Sequence, residues 1–101
     1  MYEDITGFDW DEGNRAKCQK HGVSVAAIEG LFSRPLLILP DQLHSKSEER
    51  LWGIGKTAGG QSVFLVFTIR EHSGKRFIRP ISARYMHSKE VRNYEEENTN
   101  L

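Results

Sequence analysis

The sequence predicts a two-layer α+β fold: a mostly antiparallel sheet packed against short helices. Three observations carry this. Short strand-like runs recur at residues 36–39, 49–55, 63–69 and 76–82. Helical spacing with capping residues fills residues 11–33 and returns after Ser88. The later strands are joined by turn residues, Gly59-Gly60 and the stretch 71–74, which suit antiparallel hairpins.

Each element has a local reason. Residues 5–10 make a first strand with Phe8 and Trp10 on one side. Asp11 is a helix N-cap whose carboxylate accepts free N–H groups of the first turn, and Glu12 adds negative charge at the positive end of the helix. That helix spans 12–20, closed by Lys20 and His21 where cations are favoured and by Gly22 in the left-handed C′ position. Ser24 caps a second helix, in which Val25, Ile28, Leu31 and Phe32 share one face. Arg34-Pro35 ends it, because the residue before proline avoids the helical region. Strand 36–39 stops at Pro40-Asp41, and residues 41–48, with His44, Lys46 and Glu48, form the one sizeable loop. In strand 49–55, Arg50, Trp52 and Ile54 face one way. Strand 63–69 is apolar on both faces and therefore central. Strand 76–82 contains Pro80, which lacks an N–H and implies a bulge or a free edge. Ser88 caps a last helix with Val91 and Tyr94 on one face, and residues 98–101 fray.

A length of 101 residues implies a single domain, 1–101, with one core. The lone cysteine, Cys18, excludes a disulfide scaffold. No apolar run approaches the roughly 20 residues that cross a membrane, and no secretory signal opens the chain, so a cytoplasmic setting and no membrane partner are expected. Fourteen basic residues balance fourteen acidic ones, but unevenly. Residues 1–12 hold five acidic side chains and no basic one, whereas residues 70–92 hold seven basic against two acidic. Such a segment either focuses an anion site in a neutral protein or is a solvated sheet face compensated in space.

The histidines, His21, His44, His72 and His87, lack metal-ligand spacing, so no metal and no cofactor is expected. Gly53 and Gly55 lie inside a strand and signal close packing rather than a phosphate cradle. The arginines say more. Arg50, Arg70, Arg79 and Arg84 stand in or at the ends of strands, where a sheet can aim their fixed donor forks at phosphate oxygens. Trp52 and Phe77 suit core packing, while Tyr85 and Tyr94 lie near the basic stretch and can stack on bases. Such a set suits RNA cleavage without metal, in which the 2′-hydroxyl attacks the neighbouring phosphorus. Arginines stabilise the developing charge, and His21 and Glu49 are the candidates for proton transfer. Glu49 equally suits a plain ion pair with an arginine.

These residues also resemble a family. Phe8-Asp9-Trp10-Asp11 followed by Lys20-His21-Gly22-Val23 looks like the "F-x-W-D … K-H-G-V" opening of the BrnT toxins. Glu49-Arg50 with Gly55, Val66-Phe67-Thr68 with Arg70, Arg79 with Ile81-Ser82-Ala83-Arg84, and Glu90, Arg92, Tyr94 and Glu95 match the later blocks in order. The resemblance covers about residues 8–96. Two positions depart from it: Cys18, where many relatives carry a polar residue, and Pro80, where an aliphatic one is usual. The resemblance implies a RelE-like fold, a ribonuclease toxin of a type II toxin–antitoxin pair that inhibits translation, and a BrnA-like antitoxin that alone brings the complex to operator DNA. It carries functional weight to Lys20, His21, Glu49, Arg50, Arg70, Arg79 and Arg84, with phosphate binding by Arg70, Arg79 and Arg84. An RNA- or protein-binding module without catalysis, such as an inactive toxin relative, and a structural subunit docking an acidic partner are the alternatives. If the antitoxin neutralises by direct blocking, the basic stretch is at least partly occluded in the complex.

Overall fold

A computed structural model describes residues 4–44 and 48–98. In chain order the elements are β1 (Ile5–Phe8), α1 (Glu12–Gln19), α2 (Val25–Leu31), β2 (Leu36–Pro40), β3 (Leu51–Lys56), β4 (Ser62–His72), β5 (Lys75–Tyr85) and α3 (Ser88–Asn98). The strands form one mixed sheet in the order β1-β5-β4-β3-β2. The pairs β2–β3, β3–β4 and β4–β5 are antiparallel, and β1 lies parallel to β5. This is an α+β architecture with β4 in the middle, as its two-faced apolar sequence requires.

The capping residues act where the sequence places them. Asp11 accepts from the Asn14 N–H at 3.0 Å while the Asn14 side chain accepts from the Asp11 N–H at 2.7 Å, a reciprocal capping box. Ser24 accepts from the Ala27 N–H at 3.0 Å, and Gly22 has the positive φ of a left-handed C-terminal residue. Several boundaries differ from the sequence expectation. β1 ends at Phe8, so Asp9 and Trp10 lie outside the strand expected over residues 5–10. β3 begins at Leu51, so Glu49 and Arg50 precede the strand, although the Arg50 carbonyl still accepts from the Asp41 N–H at 2.9 Å. β4 and β5 run longer than expected because their hairpin turns only at Ser73-Gly74, both at positive φ. α3 starts at Ser88 rather than after it, because Glu90 closes the helix start by accepting from the His87 N–H at 3.1 Å. The expected fraying and Lys46 fall largely or wholly outside the described residues.

Pro80 sits inside the sheet, fully buried. Val66 pairs with Ser82 and Phe67 with Pro80, so Ile81 is an extra residue and β5 bulges there. Of the two options for Pro80, bulge or free edge, the interior position of β5 selects the bulge.

Alternation on the strands separates two faces. One face packs on α1 and α2. It contributes Val63, Leu65, Phe67, Ile78 and Ala83 to a core completed by Cys18, Val23, Ile28 and Leu31. Phe8, Phe32 and Phe67 meet edge to face across it, with centroids 5.5 and 5.3 Å apart. Gly55 lies on this face, where an added Cβ would stand 2.9 Å from a Leu36 methyl and 3.5 Å from Leu31. Gly55→Val is therefore expected to overpack the β2–β3 seam and cost about 1–3 kcal/mol of stability, to be read from the urea unfolding midpoint. The second face carries Phe64, Val66, Thr68 and Arg70 from β4, paired with Arg84, Ser82, Arg79 and Phe77 from β5. Among the described residues no helix is long and apolar enough to cross a membrane.

Candidate functional site

The second face collects arginines at its β1 side. The bulge at Ile81 sets the local direction of β5, and Arg79 projects over the start of α1. Its guanidinium bonds Asp11 at 2.8 Å and Asp9 at 3.5 Å, and only 16% of the side chain is exposed. The Asn14 N–H, followed by the Arg79 hydrogen bond, holds the Asp11 carboxyl below its ordinary range. Arg70 grips Glu48 with two donors, at 3.0 and 3.4 Å. That bond outweighs the opposing effect of burial and lowers the Glu48 carboxyl, with the charges of Arg79 and Arg50 adding to it. Arg70 thus holds this carboxylate directly, and Arg79 and Arg50 act on it through their charges.

Two buried polar side chains fix this arrangement. Asn14, 7% exposed, donates from its amide to the Asp9 carbonyl at 3.0 Å and to the Pro80 carbonyl at 2.8 Å, while its oxygen takes the Asp11 N–H. It ties the segment bearing both aspartates to the bulge beside Arg79. Thr68, 2% exposed, donates its hydroxyl to the Glu49 carbonyl at 2.6 Å and so anchors the Glu49-Arg50 pair next to Arg79, its own cross-strand neighbour. A hollow of about 360 Å³ opens beside Arg79, lined by Asp11, Asn14, Lys17 and Ile81 among others. His72, at the end of β4, reaches Asp9 at 3.5 Å and lies against the Phe77 ring, with centroids 5.7 Å apart.

The remaining candidates lie apart from this cluster. Arg84 is four β4 positions away in register, about 13 Å along the strand. It lies over the Phe64 ring at 5.1 Å and makes two 3.0 Å bonds to Glu90 of α3. Lys20 and His21 are exposed beyond the far end of α1, about 13 Å along the helix from Asp11. Tyr85 pairs with Val63 and packs on the core, on the helix-covered face. Tyr94 lines a groove with Leu37 and Ile54, its hydroxyl pKa raised by burial and then by Glu97. Trp52, expected in the core, stacks on Phe64 at 5.5 Å on the second face instead, and Phe77 is half-buried on that same face.

The sequence reading passed over Asp9, Asn14, Glu48, Thr68 and His72 as site residues. Two signals bear on them: the Asp11-x-x-Asn14 spacing of a capping box, and the acidic first 12 residues facing a basic segment of complementary charge. Among the described residues no group of three or more His, Cys, Asp or Glu side chains could hold a metal ion.

The Arg84–Glu90 pair ties α3 to the sheet and gives it a pH limit. Arg84, helped by the His87 N–H, lowers the Glu90 carboxyl to about 2 from 4.5. A carboxyl depressed on folding stabilises above its unfolded value and loses that contribution as pH falls through its folded one. Protection of the α3 amides, relative to their intrinsic exchange rates, is expected to fall between about pH 4.5 and 2, and Arg84→Gln to remove that dependence; NMR-detected exchange measures both.

Fold and site together define a small α+β protein whose sheet carries a face of arginines paired with carboxylates. The model of the ribonuclease toxin BrnT, of type II toxin–antitoxin systems, matches residues 10–90. The chain belongs to the BrnT toxin family, and with it to a class whose members act on RNA and are paired with an antitoxin. A comparison with curated proteins gives no match.

Proposed function

We propose that this chain is a metal-independent endoribonuclease that cleaves RNA through the substrate's own 2′-hydroxyl, inhibits translation, and is neutralised by a cognate BrnA-like antitoxin. The two-donor grip of Arg70 on Glu48, with the charges of Arg79 and Arg50 acting on the same carboxyl, carries this reading. A carboxylate held by a guanidinium fork marks a place that fits a phosphate. Exposed ion pairs contribute only about 0–1 kcal/mol, so an RNA phosphate that accepts several charge-assisted bonds can take the place of Glu48. Arg79 and Arg70 then stabilise charge on the phosphorus-bound oxygens, with Arg50 and Glu49 beside them, and Arg84 takes a neighbouring phosphate along the same face. Lys20 and Tyr94 contribute outer RNA contacts, whereas Tyr85, on the helix-covered face, does not. In this reading His21 and Glu49 remain the sequence's own nominees for proton transfer. The balanced net charge leaves operator DNA to the antitoxin, and the arginine face is the surface an antitoxin covers.

The separation of His21 from the arginine cluster favours one competing reading, an RNA- or protein-binding module without catalysis. Cleavage of an RNA oligonucleotide in EDTA separates them. Endonucleolytic reading predicts products ending in a 2′,3′-cyclic phosphate, and no cut at a position carrying a 2′-deoxy sugar. Folded protein that cuts nothing, with or without ribosomes, would establish the binding module.

A further inference from the structure

We propose that His72 is the general base of this site, oriented by Asp9; the assignment rests on the ribonuclease reading above. Among the described histidines, His72 contacts a residue that also contacts Arg79: Asp9 reaches His72 Nε2 with one carboxylate oxygen and Arg79 with the other, each at 3.5 Å. The others are elsewhere. His21 is beyond the far end of α1, His44 is bound to Asp41 at 3.0 Å, and His87 precedes α3.

The geometry fits the task. His72 and Arg70 are two apart on β4 and so share the second face with Arg79. A proton on Nε2 points at Asp9, which leaves the Nδ1 lone pair for substrate. The Phe77 ring limits the imidazole's freedom on one side, while 59% of the side chain stays open to a polymer lying across the sheet. The charged groups facing it are Asp9 from the β1–α1 segment, Arg70 from β4, and Lys75 and Arg79 from β5. An exposed imidazole that serves only a surface ion pair has no need of a carboxylate shared with the best-held arginine of the site.

The step balances with water as co-reactant. Nδ1 takes the 2′-hydroxyl proton as the 2′-oxygen forms its bond to phosphorus. The phosphorus–O5′ bond breaks, and the departing 5′-oxygen takes a proton from water. The hydroxide so formed recovers the proton from the imidazolium. The products are a 2′,3′-cyclic phosphate and a 5′-hydroxyl.

The test uses full-length wild type, His72→Ala and His72→Gln on the same oligonucleotide in EDTA, from pH 5 to 9. The side chain is exposed, so both variants should fold, which circular dichroism checks. His72→Ala is expected to lose about 10²–10⁴-fold in kcat and the acid limb that the wild-type pH profile shows. Added free imidazole is expected to restore part of the His72→Ala rate, a response that a purely structural role would not give. Cleavage by His72→Ala within about threefold of wild type, with the acid limb intact, overturns the assignment while leaving the ribonuclease reading standing. A wild type that never cleaves removes both.

Discussion

Replacing Asn14 with leucine is expected to cost about 3–5 kcal/mol, a large share of the 5–15 kcal/mol that a small domain possesses. Leucine keeps the branched outline of asparagine but not its polar atoms, so the main loss is one of hydrogen bonds, with the bulk of its methyl groups adding to it. Three backbone groups depend on this side chain: the carbonyls of Asp9 and Pro80 and the N–H of Asp11. A buried group left without its partner costs about 1–3 kcal/mol, and the partly exposed ones recover some of that from water. Asn14→Asp is an informative companion. It keeps the acceptor for Asp11 but turns a carboxylate toward two carbonyl oxygens, so it should also destabilise. Urea unfolding measures both, and a loss under 1 kcal/mol for leucine would show that the bulge holds its shape without the amide.

Arg79→Ala is expected to lower kcat/KM for RNA by about 10²–10³-fold, the usual effect of removing one donor aimed at developing charge. The side chain is the least exposed arginine in an ion pair here, and Asp9 and Asp11 fix its direction. Its loss also frees two carboxylates to repel the substrate, so KM should rise as kcat falls. Arg79→Lys should recover little, because a single ammonium cannot hold two aspartates and a phosphate in the plane that the guanidinium fork defines. Kinetics on a short oligonucleotide, with folding checked by circular dichroism, decide the matter. Activity within about threefold of wild type would remove Arg79 from the phosphate site.

Much of the fold was legible in the sequence, because local rules govern it. Asp11, Ser24 and Gly22 mark helix ends whatever the rest of the chain does, and the unbroken apolar run of β4 requires cover on both faces. Proline in β5 narrowed the structure to two options, and the sheet order decided between them. The site was legible in kind but not in membership. Arg50, Arg70 and Arg79 could be nominated because arginines on strands are conspicuous. Their partners could not, because Asp9 meets His72 across 63 residues and Glu48 meets Arg70 across 22. Periodicity sets which face a side chain takes; register and the bulge set which neighbour it meets. Arg84 shows the same limit, being on the right face yet about 13 Å along the strand from Arg79.

The parallel pairing of β1 with β5 has a consequence in time. The aspartates that hold Arg79 directly follow the first strand to be synthesised, and Arg79 belongs to the last, 68 residues later for Asp11. At about 5–20 residues per second, roughly 3–14 s separate the two on the ribosome. No nascent chain that stops before β5 can own an assembled site, and contacts of such long range also slow folding once the chain is complete. The order of synthesis therefore sets an interval of that length before the arginine cluster can close.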